Sequence, residues 1–206
     1  VLQEQAAQGV REKVRQLASS ELASGGDAAC AARAAFRYAD EQSVRTLARA
    51  PGEPDCAPGC ASCCHVHVEA TTAEIAAAAA HLVATRSASE LRALALRLAL
   101  TAALPAEERW AARTPCALLA VDGTCSIYEV RPLRCRAFHS YSVEVCRDAY
   151  AGRTDAEPPR SPALERLYLA AEAGLEEALD GAGQATRVST LEAGLHAALT
   201  RDESVG

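Results

Sequence analysis

Four cysteines fall within nine residues, Cys56, Cys60, Cys63 and Cys64, spaced C-x3-C-x2-C-C. A thiolate is a soft, charged ligand, and several held together repel one another unless a cation sits between them. Such density calls for a metal or for disulfides. A second, wider-spaced set follows: Cys116, Cys125, Cys135 and Cys146. We read the two stretches as folding onto each other to share a metal site. Zinc takes four tetrahedral ligands, typically Cys and His. Iron–sulfur clusters also take Cys ligands, with a distant cysteine closing the set. Eight cysteines therefore make two four-ligand sites, or one multinuclear site with spares. The adjacent Cys63 and Cys64 point in different directions, so they more naturally serve two ions, or one ligates while the other packs. The metal, zinc or iron with an iron–sulfur cluster included, stays undecided at this level.

The chain has nine cysteines, so one is left over. Cys30 sits among alanines and reads as a small buried hydrophobe. The segment Val1-Leu2-Gln3-Glu4-Gln5 shows no basic region followed by an apolar one, so no signal peptide is read. Val1 is not Met, which leaves a removed leader open. Many cysteines without an export signal point to metal or redox chemistry in a reducing compartment, the cytoplasm. A disulfide scaffold is the competing reading, weakened by long helical segments, since disulfide-dense domains are small and loop-rich. His65, His67 and His139 are ligand-type residues beside the cysteines, with outer or surface roles favoured over ligation. Arg131, Arg134 and Arg136 place positive charge near the thiolates, where it lowers their pKa; the plainer alternative is that they are solvated or paired with Glu129 and Glu144. Tyr128 reads as a core residue with a tethered hydroxyl.

The runs Cys60-Ala61-Ser62-Cys63-Cys64, Cys116-Ala117-Leu118-Leu119 and Cys125-Ser126-Ile127-Tyr128-Glu129-Val130-Arg131-Pro132-Leu133-Arg134-Cys135-Arg136 resemble the YkgJ-type cysteine-cluster family, a zinc- or iron-chelating domain with a CxxCxxCC motif. The resemblance covers about residues 56–146. It implies that Cys56, Cys60, Cys63, Cys64, Cys116, Cys125, Cys135 and Cys146 chelate metal. One departure is the three-residue gap between Cys56 and Cys60, where the motif has two. Some proteins with this pattern are flagellin lysine methylases, but no Gly-rich nucleotide loop stands here. The C-x3-C-x2-C spacing also occurs in radical S-adenosylmethionine enzymes. Those need repeated strands after the motif, and usually an aromatic residue before its last cysteine, where this chain has Ser62.

The elements that must hold these residues are mostly helical. Half of the 206 residues are apolar but only 4% are aromatic, so Ala and Leu, the best helix formers, carry the apolar content. A helix over 1–23 is stopped by Ser24-Gly25-Gly26, and Asp27 caps a second over 28–50, ended by Pro51-Gly52-Glu53-Pro54. Pro58-Gly59 signals a turn. His65 to Glu69 alternates with period two and predicts a short strand, with Cys63, His65, His67 and Glu69 on one face. Capping boxes at Thr71/Glu74 and Ser87/Glu90 predict helices over 72–85 and 88–103. Pro105 opens a helical turn through Trp110. Asp122-Gly123 joins 118–121 to 124–128 as a small hairpin, and Arg131-Pro132 breaks the chain again. Helix returns at 143–150, at 161–180 with Pro162 first, and up to about 200 from a Ser189/Glu192 cap.

These readings predict a mainly α fold: a helical shell around a small irregular or β cysteine-rich metal-binding centre. One domain spans 1–206, with an N-terminal helical hairpin (1–50), a cysteine-cluster module (56–146) holding a helical insertion (72–112), and C-terminal helices (161–200). A net charge of −6 without a dense basic run argues against nucleic acid as partner. No apolar run reaches the roughly 18–20 residues of a membrane helix. The leading function is a metal-binding protein that stores, senses or transfers zinc or iron. The alternatives are an iron–sulfur redox or group-transfer enzyme, and a structural metal module that binds a protein partner. No Ser/His/Asp or paired-carboxylate arrangement is legible, so no catalytic residue is assigned. The segments 55–70 and 122–136 have few large apolar residues and would depend on an ion to hold their ends together.

Overall fold

The computed structural model describes residues 2–50, 52–57 and 59–200; the turn readings at Pro51 and Pro58 and the chain ends, Val1 and 201–206, fall outside these. The described residues are mainly helical. A first pair, α1 (Leu2–Ala23) and α2 (Ala28–Leu47), is joined by the expected glycine turn, in which Gly25 takes a φ of +86°. The Asp27 carboxylate accepts from the Cys30 backbone N–H at 2.9 Å and starts α2. Val10, Val14 and Ala18 of α1 and a run of alanines in α2 are buried. Small side chains let these helices approach closely, which explains how a core forms with so few aromatic residues.

Next come α3 (Thr72–Thr85), α4 (Ala88–Ala102) and a short α5 (Ala106–Ala111). Both predicted capping boxes are present, at Thr71/Glu74 and Ser87/Glu90. Then follow α6 (Leu133–Ala137), α7 (Val143–Tyr150), α8 (Pro162–Gly181, capped by Ser161) and α9 (Leu191–Thr200). Helix α8 packs on α1, α2 and α6, while α9 packs on α3 and α4. Among the described residues no helix is long and apolar enough to cross a membrane.

Four expectations need correction. The period-two segment 65–69 is not a strand: Ser62–His65 is a 3-10 turn, and the strand β1 is Glu69–Thr71. Its partner is β2 (Val188–Thr190), antiparallel, with Glu69 opposite Thr190 and Thr71 opposite Val188. Ser189 therefore lies in a strand; the hydroxyl that caps α9 belongs to Thr190, which accepts from the Ala193 N–H at 3.4 Å. Helix α2 ends at Leu47 rather than at 50. The stretch after Pro132 is helical, because Pro132 stands just before a first turn that needs no donor from it.

One buried carboxylate among several links ties this shell to the cysteine-bearing segment. Glu74 is fully buried. It accepts from the Thr71 N–H at 2.8 Å, the Thr71 hydroxyl at 2.9 Å and the Leu133 N–H, at the start of α6, at 2.7 Å. Arg134 adds a second link, bonding Glu172 of α8 at 3.0 Å and Glu69 of β1 at 2.5 Å.

The α1–α8 contact is close enough to be tested with one methyl group. A Cβ at Gly174 would overlap the Arg11 carbonyl, whereas one at Gly9, on the exposed side of α1, would meet nothing within 4 Å. Gly174→Ala is expected to cost about 1–3 kcal/mol through overpacking. Gly9→Ala should gain up to about 1 kcal/mol through helix propensity. Urea unfolding of the two variants should move in opposite directions.

Candidate metal centre

The first cysteine loop is pinned to the start of α7. The Asp55 N–H donates to the Ser140 carbonyl at 2.8 Å, and the Asp55 carboxylate accepts from the Val143 N–H at 3.2 Å. The Cys56 sulfur accepts from the Ser140 N–H at 3.3 Å. Cys63 and Cys64 sit in the 3-10 turn Ser62–His65, which packs on α7, the helix carrying Cys146.

The second stretch joins the first through its backbone. The Cys116 N–H donates to the Cys64 carbonyl at 2.7 Å. The predicted hairpin is present only as a narrow ladder, a bridge between Leu119 and Cys125. Its turn at Gly123 (φ +81°) abuts Gly59 (φ +85°) at the tip of the first loop. A Cβ at Gly123 would lie 3.1 Å from the Gly59 carbonyl oxygen. Cys135 lies on α6, held by the Glu74–Leu133 bond. Cys30 stands apart on α2, half-buried, with its Cβ towards Gly26.

All nine cysteines are free thiols. Among the described residues no three Cys, His, Asp or Glu side chains are drawn together as ligands of one ion. The thiols are nevertheless near enough to set one another's acidity. Cys63 is lowered to about 7, chiefly because the Cys64 thiol donates a hydrogen bond to it, with Arg131 assisting. Cys64 is raised by giving that bond, then by burial and by the charges of Cys63, Cys116 and Cys125. Burial pushes Cys116 up to about 12, with Glu192 adding to it. Cys135 is pushed well up by burial, then by Cys116, Cys125 and Cys63. Cys125 and Cys56 are also raised mainly by burial. Free thiols of this number and softness fit zinc or iron in either ionic or cluster form.

The three histidines are spent on hydrogen bonds. Carbonyls only accept, so each ring nitrogen facing one must carry the proton. His65 Nδ1 faces the Ala61 carbonyl at 3.1 Å, leaving Nε2 to accept from the Tyr150 hydroxyl at 3.3 Å. His139 Nδ1 donates to the Ala137 carbonyl at 2.8 Å, and its Nε2 accepts from the Ser161 N–H at 2.7 Å. His67 Nε2 donates to the Leu104 carbonyl at 2.8 Å, and its Nδ1 accepts from Arg109 at 2.8 Å. His67 is thus neutral, and its 3.9 Å approach to Glu192 is not an ion pair.

Of the three arginines, Arg131 is the one that acts as expected: its charge lowers Cys63 and counters the rise at Cys125 and Cys135. It lies over the Tyr128 ring, 3.8 Å from the centroid, and Tyr128 is exposed rather than a core residue. Arg134 is taken by Glu69 and Glu172. Arg136 pairs with Asp40 and donates to the Arg131 and Glu129 carbonyls at 2.8 and 2.5 Å. The partners expected for these arginines, the Glu129 and Glu144 carboxylates, do not take that part.

One pair was not legible beforehand. Arg109 of α5 is fully buried and bonds Glu192 of α9, also buried, at 2.7 Å. Both charges act on Cys116, Glu192 raising its pKa and Arg109 lowering it. Glu192 fits the spacing of a capping box with Ser189, yet its carboxylate turns into the core to meet Arg109.

Residues 55–156 match the family model described as "CxxCxxCC: Putative zinc- or iron-chelating domain". No curated protein and no solved structure matches the chain.

Two measurements bear on this geometry. Arg109→Met leaves the Glu192 charge buried without a partner and should cost about 3–5 kcal/mol; the double variant Arg109→Met/Glu192→Leu should recover most of that in urea unfolding. In metal-free protein Cys63, lowered to about 7 by the Cys64 hydrogen bond, should be the first of the Cys63–Cys64 pair to react with iodoacetamide, slowing as pH falls below 7. Cys116 and Cys135 should react last, as mass spectrometry of timed samples will read.

Proposed function

Residues 55–156 belong to the zinc- or iron-chelating family marked by the CxxCxxCC motif, and on that premise we propose that the chain is a metal-binding protein whose ligands are Cys56, Cys60, Cys63, Cys64, Cys116, Cys125, Cys135 and Cys146. The observation that carries this reading is the backbone tie between the two cysteine stretches, with Cys116 bonded to Cys64 and Ser140 to Cys56. It supports a shared site because it joins the two stretches, whose thiols are free. The histidine arrangement supports an all-sulfur set, because each of His65, His67 and His139 already uses both ring nitrogens. An iron–sulfur cluster falls within the same reading, since such clusters are held by thiolates. The role that fits is storage, sensing or transfer of zinc or iron in a reducing compartment.

Metal, iron and acid-labile sulfide content, with an absorption spectrum, measured on protein purified without oxygen, tests the proposal. Cys60→Ser and Cys63→Ser should each lower metal content sharply while most helical circular dichroism remains. Cys30→Ser should change it little. If Cys30→Ser stripped the metal and Cys63→Ser did not, the ligand assignment would be wrong.

Binding must also depend on pH. Thiols pushed above their ordinary range, such as Cys116 at about 12, have to give up protons to the ion. Affinity in chelator competition should therefore be weaker at pH 6 than at pH 8, with protons released on binding. Hydrogen exchange on metal-free protein should lose protection first at 55–70 and 114–140, before α1, α2 and α8.

A further inference from the structure

We infer that the groove between α2, α3 and the turn Tyr128–Val130 binds a small phosphate monoester, with the phosphate held by Arg33, Arg37 and His81. The groove has a volume of about 390 Å³, within the range of small-molecule sites. Helix α3 packs on both α2 and the turn, and so forms the middle wall. Its exposed Ala80 and Ala84 leave the mouth open, while the buried Phe36 and Val130 supply apolar surface.

The charges in this groove lack an anion. Arg33 and Arg37 stand one helical turn apart on α2, and like charges at that spacing destabilise a helix. Neither Arg33 nor His81, on the α3 wall, makes a side-chain hydrogen bond or ion pair among the described residues. The charge of Arg33 acts on Asp27, but that carboxylate is used at the start of α2. Arg37 meets Glu21 at 3.5 Å with its own side chain 65% exposed, a weak kind of pair. With a net charge of −6, the chain does not leave these cations unmatched for want of carboxylates. Guanidinium forks match phosphate oxygens, and two of them balance a phosphate monoester, which carries a charge of about −2 near neutral pH. A carboxylate would leave one of the two without a partner.

The rest of the groove selects the body of the ligand. Asp40 lies about 10 Å further along α2 than Arg33, fixed by the buried Arg136 and by the Tyr168 hydroxyl at 3.0 Å. Glu129 also lines the groove. These two carboxylates repel a second anionic group, which excludes polyphosphates and nucleic acid. They accept hydrogen bonds from hydroxyl groups instead, so the ester is that of a small polyol. The site is separate from the thiols and does not depend on the metal they bind.

Isothermal titration calorimetry of the full chain with glucose 6-phosphate and with inorganic phosphate, at constant ionic strength set with potassium chloride, tests the site. Both should bind saturably, glucose 6-phosphate the more tightly. Arg33→Gln and Arg37→Gln should each weaken binding about tenfold or more, through loss of a charge-assisted pair. Glutamine keeps the helix propensity of arginine, so urea unfolding of both variants should match the wild type. Arg37 is mostly exposed, and its replacement decides the matter even if Arg33→Gln does not fold. No saturable binding of glucose 6-phosphate, or undiminished binding in Arg37→Gln, would overturn the site. Equal affinity for the two probes would overturn the polyol ester as its ligand.

Discussion

The cysteine-bearing half of the chain depends on one buried carboxylate. Glu74 receives three hydrogen bonds, two from Thr71 and one from the Leu133 backbone, and it is sealed from solvent. Burial raises its pKa, and the three donors and the Arg134 charge pull against that rise. One side chain thereby ends β1, starts α3 and starts α6. The position of Cys135 and the path of the 116–137 segment over the helices follow from that anchor. A buried acceptor of this kind is costly to leave unsatisfied, so the helical shell and the cysteine segment are held in a single register.

Sulfur chemistry then acts within a frame that hydrogen bonds have already fixed. The first loop is held by Asp55 and Ser140, the second by the Cys64–Cys116 backbone bond, and their tips meet at two glycines in left-handed conformation. Burial favours the neutral thiol at Cys116 and Cys135, while Arg131 and the Cys64 thiol favour the thiolate at Cys63. One thiol of the set is thereby shifted towards the thiolate while its buried neighbours are shifted away from it.

Much of the frame could be read from the sequence because caps are local. Asp27, Thr71 with Glu74, Ser87 with Glu90, and Ser161 before Pro162 each name a helix start through a bond made within three residues. The CxxCxxCC motif within residues 55–156 could likewise be read from cysteine spacing. Where the reading failed, long-range contacts overrode local pattern. The alternation His65-Val66-His67-Val68 satisfies a strand template, but Cys64 and His65 are needed in a turn against α7, and the strand forms only where 188–190 can pair. Tyr128 looks apolar in sequence, yet its ring is exposed as a platform for Arg131. Glu192 fits a cap, but a buried guanidinium from 83 residues upstream claims it. No window of neighbouring residues contains that information.

The β1–β2 ribbon carries an implication for where this molecule can be cut. An antiparallel strand pair has a local two-fold axis, and here each strand runs directly into a helix, β1 into α3 and β2 into α9. Each helix sends one buried glutamate from its first turn towards the cysteine segment: Glu74 reaches the start of α6, and Glu192 reaches Arg109 beside Cys116. The segment is gripped from two sides by jaws that share a hinge, and one jaw lies beyond residue 156, outside the stretch the family model covers. A fragment trimmed to that stretch would keep every cysteine of the cluster but take from Arg109 its carboxylate partner, leaving it the His67 ring and the Thr114 carbonyl. The evolutionary unit and the mechanical unit of this protein therefore have different edges.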